Sequence, residues 1–152
     1  DMVYSLFNLW SAGIVVLLLL PNVLYYALRR GDAGISSPNR AINILEQIGR
    51  FGSMIFMVVP LGVPGGEFGF YALEEVAVWV TGMAALLTAY YVCWVLYAVR
   101  GPGRKLALAL ALIPCGVFLL QAALLRHWVL AVFAGLFTGT HLYIVRQYGP
   151  KD

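Results

Sequence analysis

Long apolar runs constrain the fold of this chain more than any other feature of its sequence. Five largely apolar segments follow one another, each at least twenty residues long. A helix needs about 20 residues to cross a hydrocarbon core of roughly 30 Å. The pattern therefore predicts an all-α integral membrane protein, a single domain over residues 1–152. Its compact bundle of about five transmembrane helices would cover residues 6–28, 40–63, 72–99, 106–125 and 128–147.

Composition supports a lipid environment. Hydrophobic residues make up 62% of the chain and charged residues 11%, whereas soluble domains carry about 25% charged residues. So few charges cannot cover a surface in water, which makes the lipid bilayer the expected partner. The net charge of +3 is not gathered into one basic face. A nucleic-acid partner is therefore not expected, since phosphate binding needs clustered Lys and Arg.

The connections between the apolar segments are short, which predicts antiparallel neighbouring helices. Gly, Ser and Pro mark turns at residues 31–38, 63–69 and 101–103, and Arg126 and His127 form the last junction. No basic residues precede the first apolar run and no small-residue cleavage site follows it. We therefore expect that run to be a membrane span and not a signal peptide.

Basic residues are distributed unequally between the two sides of the predicted bundle. The fourth junction carries Arg126, and the second loop carries Glu67, Glu74 and Glu75 but no Lys or Arg. The positive-inside rule then places the N-terminus outside and the C-terminus in the cytoplasm. The strong bias and short loops are typical of a bacterial inner (plasma) membrane. The basic residues assigned to the cytoplasmic side are Arg29, Arg30, Arg40, Arg100, Arg104, Lys105, Arg146 and Lys151.

Residues 39–50 form the most polar part of any predicted span. Glu46 and Arg50 are four residues apart, so they share a helix face and can pair; Asn43 and Gln47 lie on or beside that face. Three interpretations stay open. The segment is an amphipathic turn at headgroup depth, or a buried structural ion pair, or a functional site, because charges embedded in a membrane usually face a bundle interior.

Other polar and aromatic side chains fall at a similar depth in the predicted spans: Asn22, Tyr25, Tyr90, Tyr91, Trp94, Tyr97, Thr138 and His141. Together with the polar residues of the second span, they predict a cytoplasm-facing pocket. The candidate ligand-binding residues are Asn22, Asn43, Glu46, Gln47, Arg50, Tyr90, Trp94 and His141. His141 paired with Glu46 would also suit an acid/base couple or a proton relay. The simpler interpretation of His141 is an interhelical hydrogen bond.

Small residues and prolines predict close helix packing and kinks. Gly135 and Gly139 form a GxxxG motif, which predicts close packing or, alternatively, a homodimer contact. Similar small-residue spacings occur at Gly49 and Ser53, and at Thr81, Ala85 and Ala89. Pro21 and Pro114 each remove a helical hydrogen bond, freeing carbonyls near Leu17 and Leu110. Gln121 predicts one more interhelical hydrogen bond, and His127 is expected to be solvated at the outer interface.

Metal and cofactor chemistry receives no support from the sequence. Cys93 and Cys115 lie inside apolar runs without a CxxC spacing, which is typical of buried small side chains. HExxH, GxSxG, Walker and haem-attachment motifs are absent from the sequence. We therefore expect no metal site and no cofactor.

Three functional hypotheses remain. The favoured one is a small membrane protein that binds or transports a small solute or lipid, with Arg50 receiving an anionic group of an anionic or amphipathic ligand. The second is an intramembrane enzyme that acts on a lipid-soluble substrate, with Glu46 and His141 as acid and base. The third is a membrane scaffold or partner subunit without a ligand.

Overall fold

A computed structural model describes residues 2–28, 36–59 and 72–151, together with their side chains except those of residues 2–9 and 26. These residues form five helices. They are α1 (Met2–Leu28), α2 (Arg40–Val58), α3 (Leu73–Arg100), α4 (Arg104–Leu125) and α5 (Trp128–Tyr148). The described part of the chain is thus all-helical, as predicted, and the helices begin and end within a few residues of the expected limits.

Three helices, α3, α4 and α5, are long and apolar enough to cross a membrane. Residues Trp10–Tyr25 of α1 form a shorter apolar stretch among the described residues. Large apolar side chains cover the outside of the bundle, for example Val132 at 70% exposed. Such a surface is compatible with a helical membrane bundle. Helix α2 ends at Val58, before the predicted limit at residue 63, and Val59 is already extended. The turn at 63–69 and the residues Arg29, Arg30 and Glu67 lie outside the described residues.

The five helices form a ring in the order α1, α2, α5, α4, α3, with α1 closing the ring between α2 and α3. Packing is most extensive between α2 and α5, then between α5 and α4 and between α4 and α3. The α4–α5 and α3–α4 contacts join helices linked by very short connections, as expected for antiparallel neighbours. The ring leaves room at its centre, and this room holds the candidate site.

Glycines explain why α2 and α5 approach so closely. A Cβ atom at Gly49 would lie 2.6 Å from the Phe137 backbone nitrogen, and one at Gly52 would overlap the Phe133 ring. By contrast, nothing lies within 4 Å of a Cβ atom at Gly135 or Gly139. The expectation that the GxxxG motif packs within this chain is therefore wrong for the described residues, because that face of α5 points outward. A homodimer contact through Gly135 and Gly139 stays a prediction.

The small residues of α3 also face outward. Thr81, Ala85 and Ala89 are all exposed, so their spacing reflects a small-residue outer face and not an internal contact.

A hydrogen-bonded node joins four helices on one side of the bundle centre. Gln121 of α4 accepts a hydrogen bond from the Trp79 indole of α3 (3.1 Å). Its amide nitrogen donates to Ser11 of α1 and to the Met57 carbonyl of α2, both at 2.9 Å. Gln121 is buried, and each of these partners satisfies a polar group that would be costly to leave unpaired in an apolar interior. The predicted interhelical hydrogen bond of Gln121 is confirmed.

Pro21 frees a backbone carbonyl that another helix satisfies. Proline has no N–H to donate to the carbonyl of Leu17, four residues earlier. The Tyr91 hydroxyl of α3 donates to that carbonyl at 2.7 Å instead. The proline thus creates an attachment point between α1 and α3. In α4, Pro114 removes the equivalent donor for Leu110, and both residues line the central cavity.

The junction between α4 and α5 corrects the expectation for His127, which is buried and not solvated, at 1% exposed. Arg126 ends α4 in the left-handed conformation. His127 then caps α5, with its Nδ1 accepting the Leu130 N–H at 3.3 Å. The ring also lies against α2, with its centre 6.1 Å from that of the Phe56 ring and Nε2 3.5 Å from the Val59 carbonyl, which is why it is buried. Arg126 itself pairs with Glu75 of α3.

Candidate functional site

A cavity of about 810 Å³ occupies the centre of the ring, and all five helices contribute to its wall. Its deepest part reaches Leu18, Met54 and Phe118. At the other end, Ser36, Pro102 and Gly149 place it beside the first and third loops and the end of α5. Typical small-molecule sites measure roughly 300–1,000 Å³, so this cavity has the size of a ligand site.

Glu46 is the buried charge of the cavity wall, at 4% exposed. It lies six residues into α2, roughly 9 Å along the helix from Arg40. One carboxylate oxygen, Oε1, accepts a hydrogen bond from Arg50 at 2.9 Å, and Oε2 lies 3.2 Å from His141 Nδ1 of α5. The carboxylate therefore faces the bundle interior, and its depth relative to the lipid headgroups stays a prediction. We call Glu46, Arg50, His141 and Phe137 the Glu46 cluster.

Arg50 presents unused hydrogen-bond donors to the cavity. Its side chain is 31% exposed and its guanidinium carbon lies 5.5 Å from the centre of the Phe137 ring, a cation–π distance. Among the described residues, its one hydrogen bond goes to Glu46. A guanidinium carries five N–H donors. The remaining donors can therefore receive an anionic or carbonyl group inside the cavity.

His141 is held on two sides. Its imidazole stacks on the Phe137 ring, with 4.7 Å between ring centres and an angle of 15° between planes. The neutral tautomer that donates to the Glu46 carboxylate carries its hydrogen on Nδ1, and it leaves the lone pair on Nε2. The predicted Glu46–His141 pairing is thus present as a contact between two helices.

Aromatic side chains form the opposite wall. Tyr25 of α1 lies 5.1 Å from Trp94 and 5.5 Å from Tyr97, measured between ring centres. Asn22 donates to the Tyr90 hydroxyl at 2.7 Å, which fixes α1 against α3 next to these rings. The polar cluster and the aromatic wall together suit a ligand that has both a charged or polar group and an apolar body.

Seven of the eight predicted site residues line this cavity. They come from four helices: Asn22, Glu46, Gln47, Arg50, Tyr90, Trp94 and His141. Asn43 does not line it. Its amide exchanges hydrogen bonds with the backbone of Ser37, accepting from the N–H at 2.9 Å and donating to the carbonyl at 2.6 Å. Asn43 therefore fixes the segment that leads into α2. That these residues bind a ligand stays a prediction.

Sequence reasoning missed the residues of the cavity wall that carry no polar group. Phe137 lies four residues before His141, so helical spacing alone places it on the same face of α5. Ala107 and Ala111 of α4 also line the cavity. In a sequence, small apolar residues on a cavity wall look the same as small residues at a helix contact.

Thr138 is predicted from the sequence to lie at the depth of His141. Its hydroxyl donates to the Ala134 carbonyl of its own helix.

The described residues contain no group of three His, Cys, Asp or Glu side chains placed to hold a metal ion. No protein-family model, curated protein sequence or solved structure matches this chain.

Proposed function

We propose that this protein binds a small solute or lipid in the central cavity, as a carrier or as a partner subunit of one. The observation that carries the proposal is the convergence of Glu46, Arg50 and His141 in a cavity of ligand size within an apolar bundle. Buried ionisable residues in membrane bundles usually mark substrate or ion pathways. Arg50 would receive the polar group of the ligand, and the aromatic wall would contact its apolar body.

The charge distribution supports access from the cytoplasm of a bacterial inner membrane. Exposed Arg and Lys side chains cluster at the end of the bundle where Ser36, Pro102 and Gly149 line the cavity. They are Arg40, Arg100, Arg104, Lys105, Arg146 and Lys151. The positive-inside rule then orients this end toward the cytoplasm. An alkaline phosphatase that is active when fused to the C-terminus would contradict the orientation, since that enzyme requires the periplasm.

The contact between Glu46 and His141 favours a second candidate, an intramembrane enzyme that acts on a lipid-soluble substrate. A carboxylate 3.2 Å from an imidazole nitrogen can orient that ring as a general base, with Arg50 stabilising negative charge. This hypothesis differs from binding alone because it requires a product. Conversion of a co-purifying molecule by the wild type, but not by a His141→Asn variant that still binds it, would support the enzyme.

Native mass spectrometry with lipid and metabolite analysis of the purified protein tests the binding proposal. We expect the wild type to carry a small molecule or lipid that is lost at least tenfold in Arg50→Gln, because the variant removes the charged donors in the cavity. Arg40→Gln is the matched control, since Arg40 is on the same helix but exposed. Loss that is equal in both variants would contradict the assigned site, and a wild type that carries nothing would favour a scaffold.

A further inference from the structure

Charge balance in the cavity restricts what can bind there. Among the described residues lining the cavity, Glu46, Arg50 and His141 are the ones that carry or can carry a charge at neutral pH. With His141 neutral, the carboxylate and the guanidinium cancel, so the cluster has zero net charge. Entry of a monoanion at Arg50 would leave one uncompensated negative charge in an apolar environment, which is strongly unfavourable.

His141 can remove that imbalance without a change of helix packing. Nδ1 already faces Glu46 Oε2, and the lone pair on Nε2 can take a proton. Protonation converts the neutral contact into an ion pair, so Glu46 keeps a cationic partner while Arg50 turns to the ligand. The imidazole keeps its place because it stays stacked on Phe137.

Neighbouring helices offer no other group for this role. The other titratable side chains that line the cavity are Tyr25 of α1, Tyr90 and Tyr97 of α3 and Tyr148 of α5, and Cys115 of α4 interacts electrostatically with Glu46. Each is neutral in its protonated form, so none can gain a positive charge. On α2, Glu46 and Arg50 form the pair themselves. The proton must therefore go to the Glu46–His141 pair.

Resting on the proposed binding function, we infer that the ligand is an amphipathic monoanion, and that its binding at Arg50 is coupled to uptake of one proton by the Glu46–His141 pair. The proton comes from the aqueous phase at the open end of the cavity. Binding then tightens as pH falls. By reciprocity, the bound anion favours the protonated pair by the same factor.

Calorimetric titration of the protein in lipid nanodiscs tests this inference with naphthalene-2-sulfonate, which stays ionised between pH 6 and 8. The uncharged control is naphthalene-2-sulfonamide. Measurements in two buffers of different ionisation enthalpy give the protons taken up per sulfonate bound. We expect up to about one proton per sulfonate bound, with Kd rising by up to about tenfold per pH unit wherever a proton is taken up. The sulfonamide should bind without proton uptake.

Three variants separate the roles of the cluster. His141→Asn keeps a donor near Glu46 and leaves the carboxylate as the one group of the pair that can take up a proton, so its Kd should be weaker than that of the wild type. Glu46→Gln removes the negative charge, so the sulfonate should bind tightly at all pH values without a proton. Arg50→Gln should lose sulfonate binding. Thermal unfolding of each variant establishes that it is folded.

Several outcomes would overturn the inference. Sulfonate binding that needs Arg50 but takes up no proton would refute the coupling, as would the same pH dependence in Glu46→Gln. Failure of the wild type to prefer the sulfonate over the sulfonamide would refute the anionic ligand. In each case the proposed binding function would stand if the native mass spectra show a molecule that depends on Arg50. It would fail if those spectra show no such molecule, or if Arg40→Gln loses the molecule as Arg50→Gln does.

Discussion

At the scale of single residues, Glu46 illustrates how this bundle holds a charge away from water. Removing an ion from water costs several kcal/mol, and a partner and hydrogen bonds must offset that cost. Glu46 has two such partners, one on its own helix and one on α5. The carboxylate thereby ties α2 to α5 at the depth of the cavity. An apolar residue at this position would pack in the bundle without the free-energy cost of burying a charge. The presence of Glu46 here is therefore informative about function.

His127 gives a prediction about stability and pH. Burial lowers the pKa of His127 below the ordinary value of about 6.5, against the opposing effect of the Val59 and Phe56 carbonyls. The unfolded chain therefore binds this proton more readily than the folded one. The stabilising contribution is complete above pH 6.5 and is lost as pH falls below it, toward the pKa of the folded state.

Thermal unfolding between pH 8 and 5 measures this effect against a His127→Asn variant. Asn still caps a helix but does not titrate, and His141 is common to both proteins. We expect the wild-type midpoint to fall more steeply with decreasing pH than that of the variant. Parallel curves would show that His127 does not contribute.

At the scale of helices, the sequence predicted where helices occur but not which face of each turns inward. Apolar runs of spanning length give the helices, because length and hydrophobicity are properties of each segment alone. Helix rotation depends on the neighbours. Gly135 and Gly139 therefore looked like a packing motif, although Gly49 and Gly52 make the close contact. The polar residues of the cavity could be predicted because a polar side chain in an apolar span needs a hydrogen-bond partner or a function. Phe137 and Ala111 are apolar, so their sequence context gave no such indication.

The α2–α5 contact predicts opposite effects for two glycine substitutions. Gly49→Ala would place a Cβ atom 2.6 Å from the Phe137 backbone, so the helices must separate. We expect a loss of about 1–3 kcal/mol, typical of an overpacked core. Gly139→Ala is the control, since its Cβ meets nothing and alanine favours a helix by up to about 1 kcal/mol. Unfolding midpoints in the same detergent compare them, and equal midpoints would contradict the close approach.

At the scale of the whole molecule, the two ends of the bundle differ. At one end the Gln121 node ties α1, α2, α3 and α4 together, with Gln121 and Met57 about one turn beyond the cavity-lining residues Phe118 and Met54. At the other end the cavity reaches the loops, with basic residues around it. A bundle fastened at one end and hollow at the other suits a protein that receives a ligand from one side.

The most direct test is a substitution that fills the cavity and leaves its charged groups intact. Ala111 lines the cavity, and Ala123, on the same helix, is exposed. Native mass spectrometry should show that Ala111→Trp loses the molecule carried by the wild type, whereas Ala123→Trp retains it. An Ala111→Trp variant that is folded and carries the molecule as the wild type does would contradict the central claim that the ligand occupies this cavity.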